Sequence, residues 1–294
     1  MGERRQRAVL AVAFLAPAFL IYTTFVIYPM VRTFYTSLFE WRGVSARMTY
    51  VGLRNFARAF QDANFVNAVG NTATFFAGLV PVLLGLSLLF ALLLARGGRL
   101  SQFHRVVYFF PNVIPLVAVA AIWAALYDPI SGLINATLRG LGLVSLAKTW
   151  LGDPDTALPA LMAVEVWRQV GFYMVLFIAG IQNIPPSVIE AARIDGASDF
   201  KVSTRIILPL LNPVLKVGVV FIIINALNVF VTPQLMTRGG PSRHTQTIGL
   251  YIHEQAFQNS NFGYASALGA LFFLLIFVIT VVALRWMRGE DVEY

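Results

Sequence analysis

Apolar residues in this chain gather into long runs and do not alternate with polar ones. Six runs, Ala8–Val31, Ala68–Ala95, Val106–Tyr127, Ala157–Gly180, Leu210–Thr232 and Tyr264–Leu284, are separated by polar segments. A helix rises about 1.5 Å per residue, so crossing a hydrocarbon core of about 30 Å takes roughly 20 apolar residues, and every run is that long. In lipid the backbone must satisfy its own hydrogen bonds, and the lack of period-two alternation excludes a barrel of strands. The pattern predicts an all-α membrane protein with six transmembrane helices. Buried helices of a soluble protein would need a soluble shell, and the other half of the chain is too short to supply one. Pro81, Pro111 and Pro115 are expected to kink the second and third spans, which helps a bundle enclose a cavity.

Composition sharpens this picture. Apolar residues make up 58% of the 294 and charged residues 12%, against about 25% charged in an ordinary soluble domain. The charges are segregated, with only Glu165, Arg168 and Lys216 inside the runs. Such segregation rules out both a single soluble globule and a disordered chain. Six spans leave the two termini on one side. Residues 1–7, 96–105, 181–209 and those after 284 carry Lys and Arg at about twice the density of the opposite loops, so the positive-inside rule places both termini in the cytoplasm. Arg32, Arg42, Arg47, Arg54 and Arg58 stand against that assignment on the opposite side. Arg4, Arg5 and Arg7 before Ala16-Pro17-Ala18 imitate a signal peptide, but the apolar run continues to Val31, as a retained anchor would. The net charge of +8 lies mostly in membrane-flanking loops and calls for no nucleic acid.

Catalytic signatures are missing from the sequence. It contains no G-x-x-x-x-G-K-[ST] phosphate loop, no H-E-x-x-H and no G-x-S-x-G, and its three histidines are far apart. With no Cys there is neither a disulfide framework nor a thiolate site. The chain is therefore expected to be no enzyme, to hold no metal and to bind no nucleotide itself.

Residues 181–209 carry the strongest local signal. Pro185 and Pro186 stop the fourth span. Ser187 and Glu190, three apart, are expected to form a capping box that opens a new helix. Gly196 fits the left-handed position that ends it, and Ser198 can cap the next helix. The result is a helix of about two turns whose small Ala191 and Ala192 present a smooth face. Two readings stand on these residues alone: a plug for a partner's groove, or an amphipathic connector lying at the membrane surface.

Glu190-Ala191-Ala192, then Gly196, then Ile206-x-Leu208-Pro209, resembles the EAA motif of bacterial ABC import permeases. Shorter matches follow in register with the spans: Tyr28-Pro29 with Ser37-Leu38, Val51-Gly52-Leu53-x-Asn55-Phe56, Asn71-Thr72, Trp123 with Asp128-Pro129, Gly132 and Asn135, Thr237-x-Gly239-Gly240-Pro241, and Gly263-Tyr264-Ala265-Ser266-Ala267. Together they resemble the maltose and glycerol-phosphate (carbohydrate uptake) group over essentially the whole chain. The resemblance implies the type I ABC importer permease (MetI-like) architecture. It implies a cytoplasmic tail at 1–7, one transmembrane domain over 8–294, and a cytoplasmic coupling loop at 181–209. Glu190, Ala191, Ala192, Asp195 and Gly196 would then dock into a separate ATPase subunit. Implied partners are a second, similar permease, two ATPase subunits holding ATP and Mg, an extracytoplasmic substrate-binding protein, and a carbohydrate (sugar, oligosaccharide or polyol phosphate). The location implied is the bacterial inner membrane.

Polar groups inside a span are costly and mark functional sites by default. Counting from Ala157, Arg168 sits roughly 16 Å into the membrane, near its midplane. Asn225 and Asn228, three apart, share a face of the fifth span. Similar family members bind sugar near the midplane with residues from these two regions, so Arg168, Gln169, Phe172, Asn225 and Asn228 are the candidates, with Trp167 a neighbour. Against this, Glu165 and Arg168 are spaced to pair with each other, and membrane asparagines commonly bond to neighbouring helices. An ion-gradient-driven transporter or channel is the alternative function. Such folds usually show repeated halves and ionisable residues in several spans, and this sequence has neither.

Overall fold

A computed structural model describes residues 2–44, 47–95 and 97–287, without the side chains of 2–9 and 11. The side chains of the basic residues at 4, 5 and 7, and residues 96 and 288 altogether, which entered the topology count, lie outside this description. In chain order the elements are α1 (Gly2–Tyr22), a π turn, α2 (Tyr28–Thr36), the two-residue strands β1 (Phe39–Glu40) and β2 (Thr49–Tyr50), α3 (Arg54–Gln61), α4 (Ala63–Leu94), α5 (Arg99–Val113), α6 (Leu116–Leu126) and α7 (Leu133–Gly140). They continue as α8 (Pro154–Gln182), α9 (Pro186–Ile194), α10 (Asp199–Val202), α11 (Leu208–Leu210), α12 (Asn212–Leu227), α13 (Val231–Met236), α14 (Ile248–His253) and α15 (Phe262–Trp286).

Among the described residues five helical stretches are long and apolar enough to span a membrane: Val12–Thr36, Ala63–Leu94, Pro154–Gln182, Asn212–Met236 and Phe262–Trp286. The third predicted span is not one helix. It comprises α5 and α6, bent by 98° about Ile114 and Pro115. Ile114 is extended, with φ −71° and ψ 132°, because a residue followed by proline is pushed out of the α region. Pro111, by contrast, is accommodated inside α5, and Pro81 lies inside α4. The fifth span also breaks, between Leu227 and Val231. Val229 O is covered there by the Thr247 hydroxyl at 2.9 Å, and the Asn228 side chain adds a bond at 2.9 Å to Ile224 O, which also accepts from Asn228 N at 3.0 Å. A polar cover of this kind is what permits irregular backbone at membrane depth.

The chain divides into two compact units. One comprises residues 1–63 with 252–274. There Asn55 bonds from its amide to the carbonyls of Ser37 and Phe39, both at 2.9 Å, pinning α3 under the β1–β2 hairpin. Tyr264 donates to Asp62 at 2.8 Å. Gly263 lies so close to Phe39 O that any side chain there would collide with it.

The larger unit, residues 64–251 with 275–294, is organised on α8, the most buried span. Asp153 caps it by accepting from Asp155 N at 2.9 Å, with Pro154 in the first turn, where its missing donor costs nothing. Small residues allow the close contacts. A Cβ on Gly171 would strike the Tyr108 carbonyl of α5, Gly180 faces Leu211 and Val214, and Gly218 of α12 receives the Phe177 ring. This is how membrane helices associate, since lipid removes the hydrophobic drive between them. Around Met174, Phe177 and Ile178, all buried, α4 contributes Leu83 and Ala91, and α12 contributes Ile222.

Candidate functional site

Two groups of sequence-selected residues lie in the larger unit. The first is α9. Its N-cap lies two residues before the expected Ser187: Pro185 is the N-cap, Pro186 takes the first turn, and no side chain caps the helix. The proline ring supplies the helical φ in advance, so the Ser187–Glu190 exchange does not form. The far end follows expectation. Gly196 has φ +79°, and Gly196 N and Ala197 N bond back to Arg193 O at 3.0 Å and Ala192 O at 2.9 Å, closing the helix with a left-handed residue. Ser198 then caps α10, accepting from Lys201 N at 3.4 Å.

Ala191 and Ala192 do not share a face. Ile189 and Ala192 pack against the chain's own core, with Ala197 beside them. Glu190, Ala191, Asp195 and Gly196 are exposed, and so is Ile194, at 85%. The exposed surface of α9 thus includes Glu190, Ala191, Ile194 and Asp195, with Ile194 a large apolar side chain that the motif reading does not include. Beside it opens a cleft of about 340 Å³ lined by Glu190 and Arg193 of α9, Asp199 of α10, and Ala95 of the segment after α4.

The second group centres on Glu165, which is 1% exposed. Its carboxylate accepts from Arg168 Nη2 at 2.8 Å and Nε at 3.2 Å, and from Gln169 Nε2 at 2.7 Å. It also accepts from the Thr232 hydroxyl of α13, 67 residues away. Arg168 is thus a neutralised cation whose side chain keeps 21% of its exposure. One turn on from Gln169, Tyr173 is buried, and its hydroxyl accepts from Asn225 Nδ2 at 2.8 Å. Phe172 meets the Tyr173 ring edge-on and is half open. Asn228 is exposed, its amide turned back on its own helix. Along α12 the exposed positions Phe221, Asn225 and Asn228 recur at helical spacing and form one open face.

Arg168, Gln169, Phe172 and Asn225 thus come together around Glu165 and Tyr173, while Asn228 stands further along the same open face. Glu165 and Tyr173 both belong to a polar stripe at positions 165, 169 and 173, a four-residue period that marks one helix face. Nothing in the order of residues announces Thr232 as their partner.

The sequence matches the family model described as binding-protein-dependent transport system inner membrane component over residues 83–288. The chain belongs to this family. The permease is 38% identical over 296 residues to the diacetylchitobiose uptake system permease protein NgcF of Streptomyces coelicolor, covering 96% of this chain and 84% of that one. It is 33% identical over 292 residues to the sulfoquinovosyl glycerol transport system permease protein SmoG of Agrobacterium fabrum, covering 99% and 93%. Among solved structures, a chain of a bacterial alginate ABC transporter, crystallised with its alginate-bound periplasmic protein, superposes with a TM-score of 0.85 at 24% identity. That likeness covers 97% of the permease and 96% of the other chain, and it fixes the fold alone. The permease is thus a multi-pass inner-membrane transport component of the ABC importer type, as the EAA resemblance implies.

Proposed function

We propose that this permease forms half of a translocation path for an uncharged carbohydrate, paired with a second permease and driven by two separate ATPase subunits that hold ATP and Mg. Family membership and relatives named for saccharide uptake support the class. The single observation that carries the charge of the substrate is the Arg168–Glu165 pair. A guanidinium bonded through two nitrogens to a buried carboxylate has no net charge left to attract an anion. What remains open beside it is an aromatic face, Phe172, and two amides, Asn225 and Asn228. Aromatic rings cover the C–H faces of a sugar, and amides donate to and accept from its hydroxyls. Arg168 and Gln169 position that wall from behind.

In this reading α9 is the coupling helix, its exposed Glu190, Ala191, Ile194 and Asp195 seated in the ATPase and its inner Ala192 and Ile189 transmitting the push to the spans. Both termini and the 181–209 loop are cytoplasmic, and an extracytoplasmic binding protein delivers substrate from the other side. ATP binding closes the ATPases and turns the path outward, and hydrolysis resets it. No step of chemistry on the substrate is assigned to this chain.

The test is purification from the native membrane. An ATPase and a second permease in the purified complex, with ATP hydrolysis raised by a binding protein and a neutral sugar, is the expected result. The chain alone, moving solute on an ion gradient, would overturn the proposal in favour of a secondary transporter.

A further inference from the structure

Arg42, Arg47, Arg54 and Arg58 lie between the first two spans, and Arg32 near the end of the first, opposite the coupling loop, where topology predicts few cations. Two of them line a cleft. α3 has three arcs: Asn55 and Ala59 are buried, Arg54 and Arg58 are exposed, and Leu53 and Phe60 are about 70% exposed. A helix with adjacent exposed apolar and cationic arcs suits the bilayer boundary, its apolar arc entering the acyl region by about 5–10 Å. Its place in the chain fits, since Ser37 to Leu53 alone joins it to the first span and Asp62 alone to the second.

Within the same compact unit, α3 and the start of α15 enclose a cleft of about 300 Å³ lined by Glu40, Trp41, Arg54, Arg58, Asn261 and Tyr264. The Arg58 guanidinium stacks 4.1 Å above the Tyr264 ring, and the Tyr264 hydroxyl is fixed by Asp62 at 2.8 Å. We propose that this cleft binds the headgroup of phosphatidylglycerol in the outer leaflet, Arg54 and Arg58 holding the phosphate. Glu40 and Asn261 accept its glycerol hydroxyls, and the Leu53–Phe60 arc lies along the acyl chains. The lining carries two cations against one carboxylate, with Asp62 outside it against the Tyr264 hydroxyl; this net positive charge favours a net anionic headgroup over a zwitterionic one, and Glu40 repels a bare phosphate dianion. Only the choice of leaflet rests on the proposed orientation.

The test titrates the delipidated full chain, purified with its co-purifying subunits, with phosphatidylglycerol or phosphatidylcholine, counting bound lipid by native mass spectrometry. Each basic residue near an anionic headgroup is worth about fivefold, so Arg54→Gln with Arg58→Gln should weaken phosphatidylglycerol about thirtyfold and phosphatidylcholine, whose phosphate is offset by its own ammonium, much less. Arg54→Lys with Arg58→Lys, which keeps the charge, should retain the preference. A wild type without preference for phosphatidylglycerol, or a Gln variant that binds it equally, would overturn the proposal. So would displacement of the lipid by equimolar glycerol phosphate or inorganic phosphate, which would make this a soluble-anion site. If the Gln variant does not fold, the wild-type preference and its retention by the Lys variant still decide. Sugar uptake by the same preparations is read separately, so a failed substrate reading is told apart from a failed lipid site.

Discussion

Replacing Glu165 by Ala removes one carboxylate and strands three donors: the Arg168 guanidinium, the Gln169 amide and the Thr232 hydroxyl. An uncompensated buried charge costs about 3–5 kcal/mol, and each neutral donor left unsatisfied costs about 1–3 kcal/mol. Two effects reduce that total. Arg168 keeps 21% of its side-chain exposure and can recruit water. Hydrogen bonds between membrane helices are also worth less than expected, averaging about 0.6 kcal/mol. We therefore expect Glu165→Ala to lose about 3 kcal/mol, and Glu165→Gln, which keeps an acceptor oxygen, about half of that. Removing both charges, in Glu165→Ala with Arg168→Met, should recover about 1.5 kcal/mol relative to the sum of the single changes. The assay is denaturant unfolding in detergent, followed by tryptophan fluorescence. A Glu165→Ala variant within about 0.5 kcal/mol of wild type, or single changes additive within that margin, would refute the idea that this carboxylate holds α8 and α13 together.

Gly171→Ala would drive a Cβ into the Tyr108 backbone and should cost about 1–3 kcal/mol in the same assay. Gly70→Ala, whose Cβ meets nothing within 4 Å, should be neutral or stabilising by up to about 1 kcal/mol. Ile194→Arg, on the exposed face of α9, should leave stability within about 0.5 kcal/mol but abolish uptake and release the ATPase on purification. Asn135 is buried and bonds Pro129 O at 3.2 Å, Lys148 O at 2.8 Å, Lys148 N at 3.3 Å and Trp150 Nε1 at 2.8 Å. Asn135→Ala should cost about 2–3 kcal/mol and speed hydrogen exchange across 128–150. The Asp128 carboxylate is held below its usual range by hydrogen bonds from Ser131 N, Ser131 Oγ and Ile130 N. A group depressed in the folded state contributes above its unfolded pKa and loses that contribution as pH falls through the folded one. Exchange protection of Ser131 should therefore fall on acidification below about pH 4 and be lost at all pH values in Asp128→Ala.

Reading the chain residue by residue recovers the spans because apolar run length is a local quantity. The same holds for the end of α9, where Gly196 and Ser198 act on their own neighbours. Its start is misread because two local signals compete, and the φ set by Pro186 prevails over the Ser187–Glu190 exchange. Pro111 and Pro115 look alike in sequence, yet only the second breaks its span, because Ile114 before it is extended and turns the chain, while Pro111 lies inside α5. The Glu165–Arg168 pair follows from a three-residue spacing, whereas its bond to Thr232 depends on where the fifth span breaks. Ala192 is misplaced for a similar reason: a helical wheel gives its angle relative to Ala191, but which angle faces the core is decided by residues from α4, α8 and α10.

The central claim is that this chain is a gate for a neutral carbohydrate, moved by an ATPase it does not contain. Proteoliposomes holding the purified complex, given a labelled neutral oligosaccharide with its binding protein, test it most directly. Accumulation that requires ATP on the coupling-loop side, survives collapse of the proton and sodium gradients, and resists competition by a phosphorylated sugar is the predicted result. Uptake that follows an ion gradient without ATP, or that prefers the phosphorylated sugar, would contradict it.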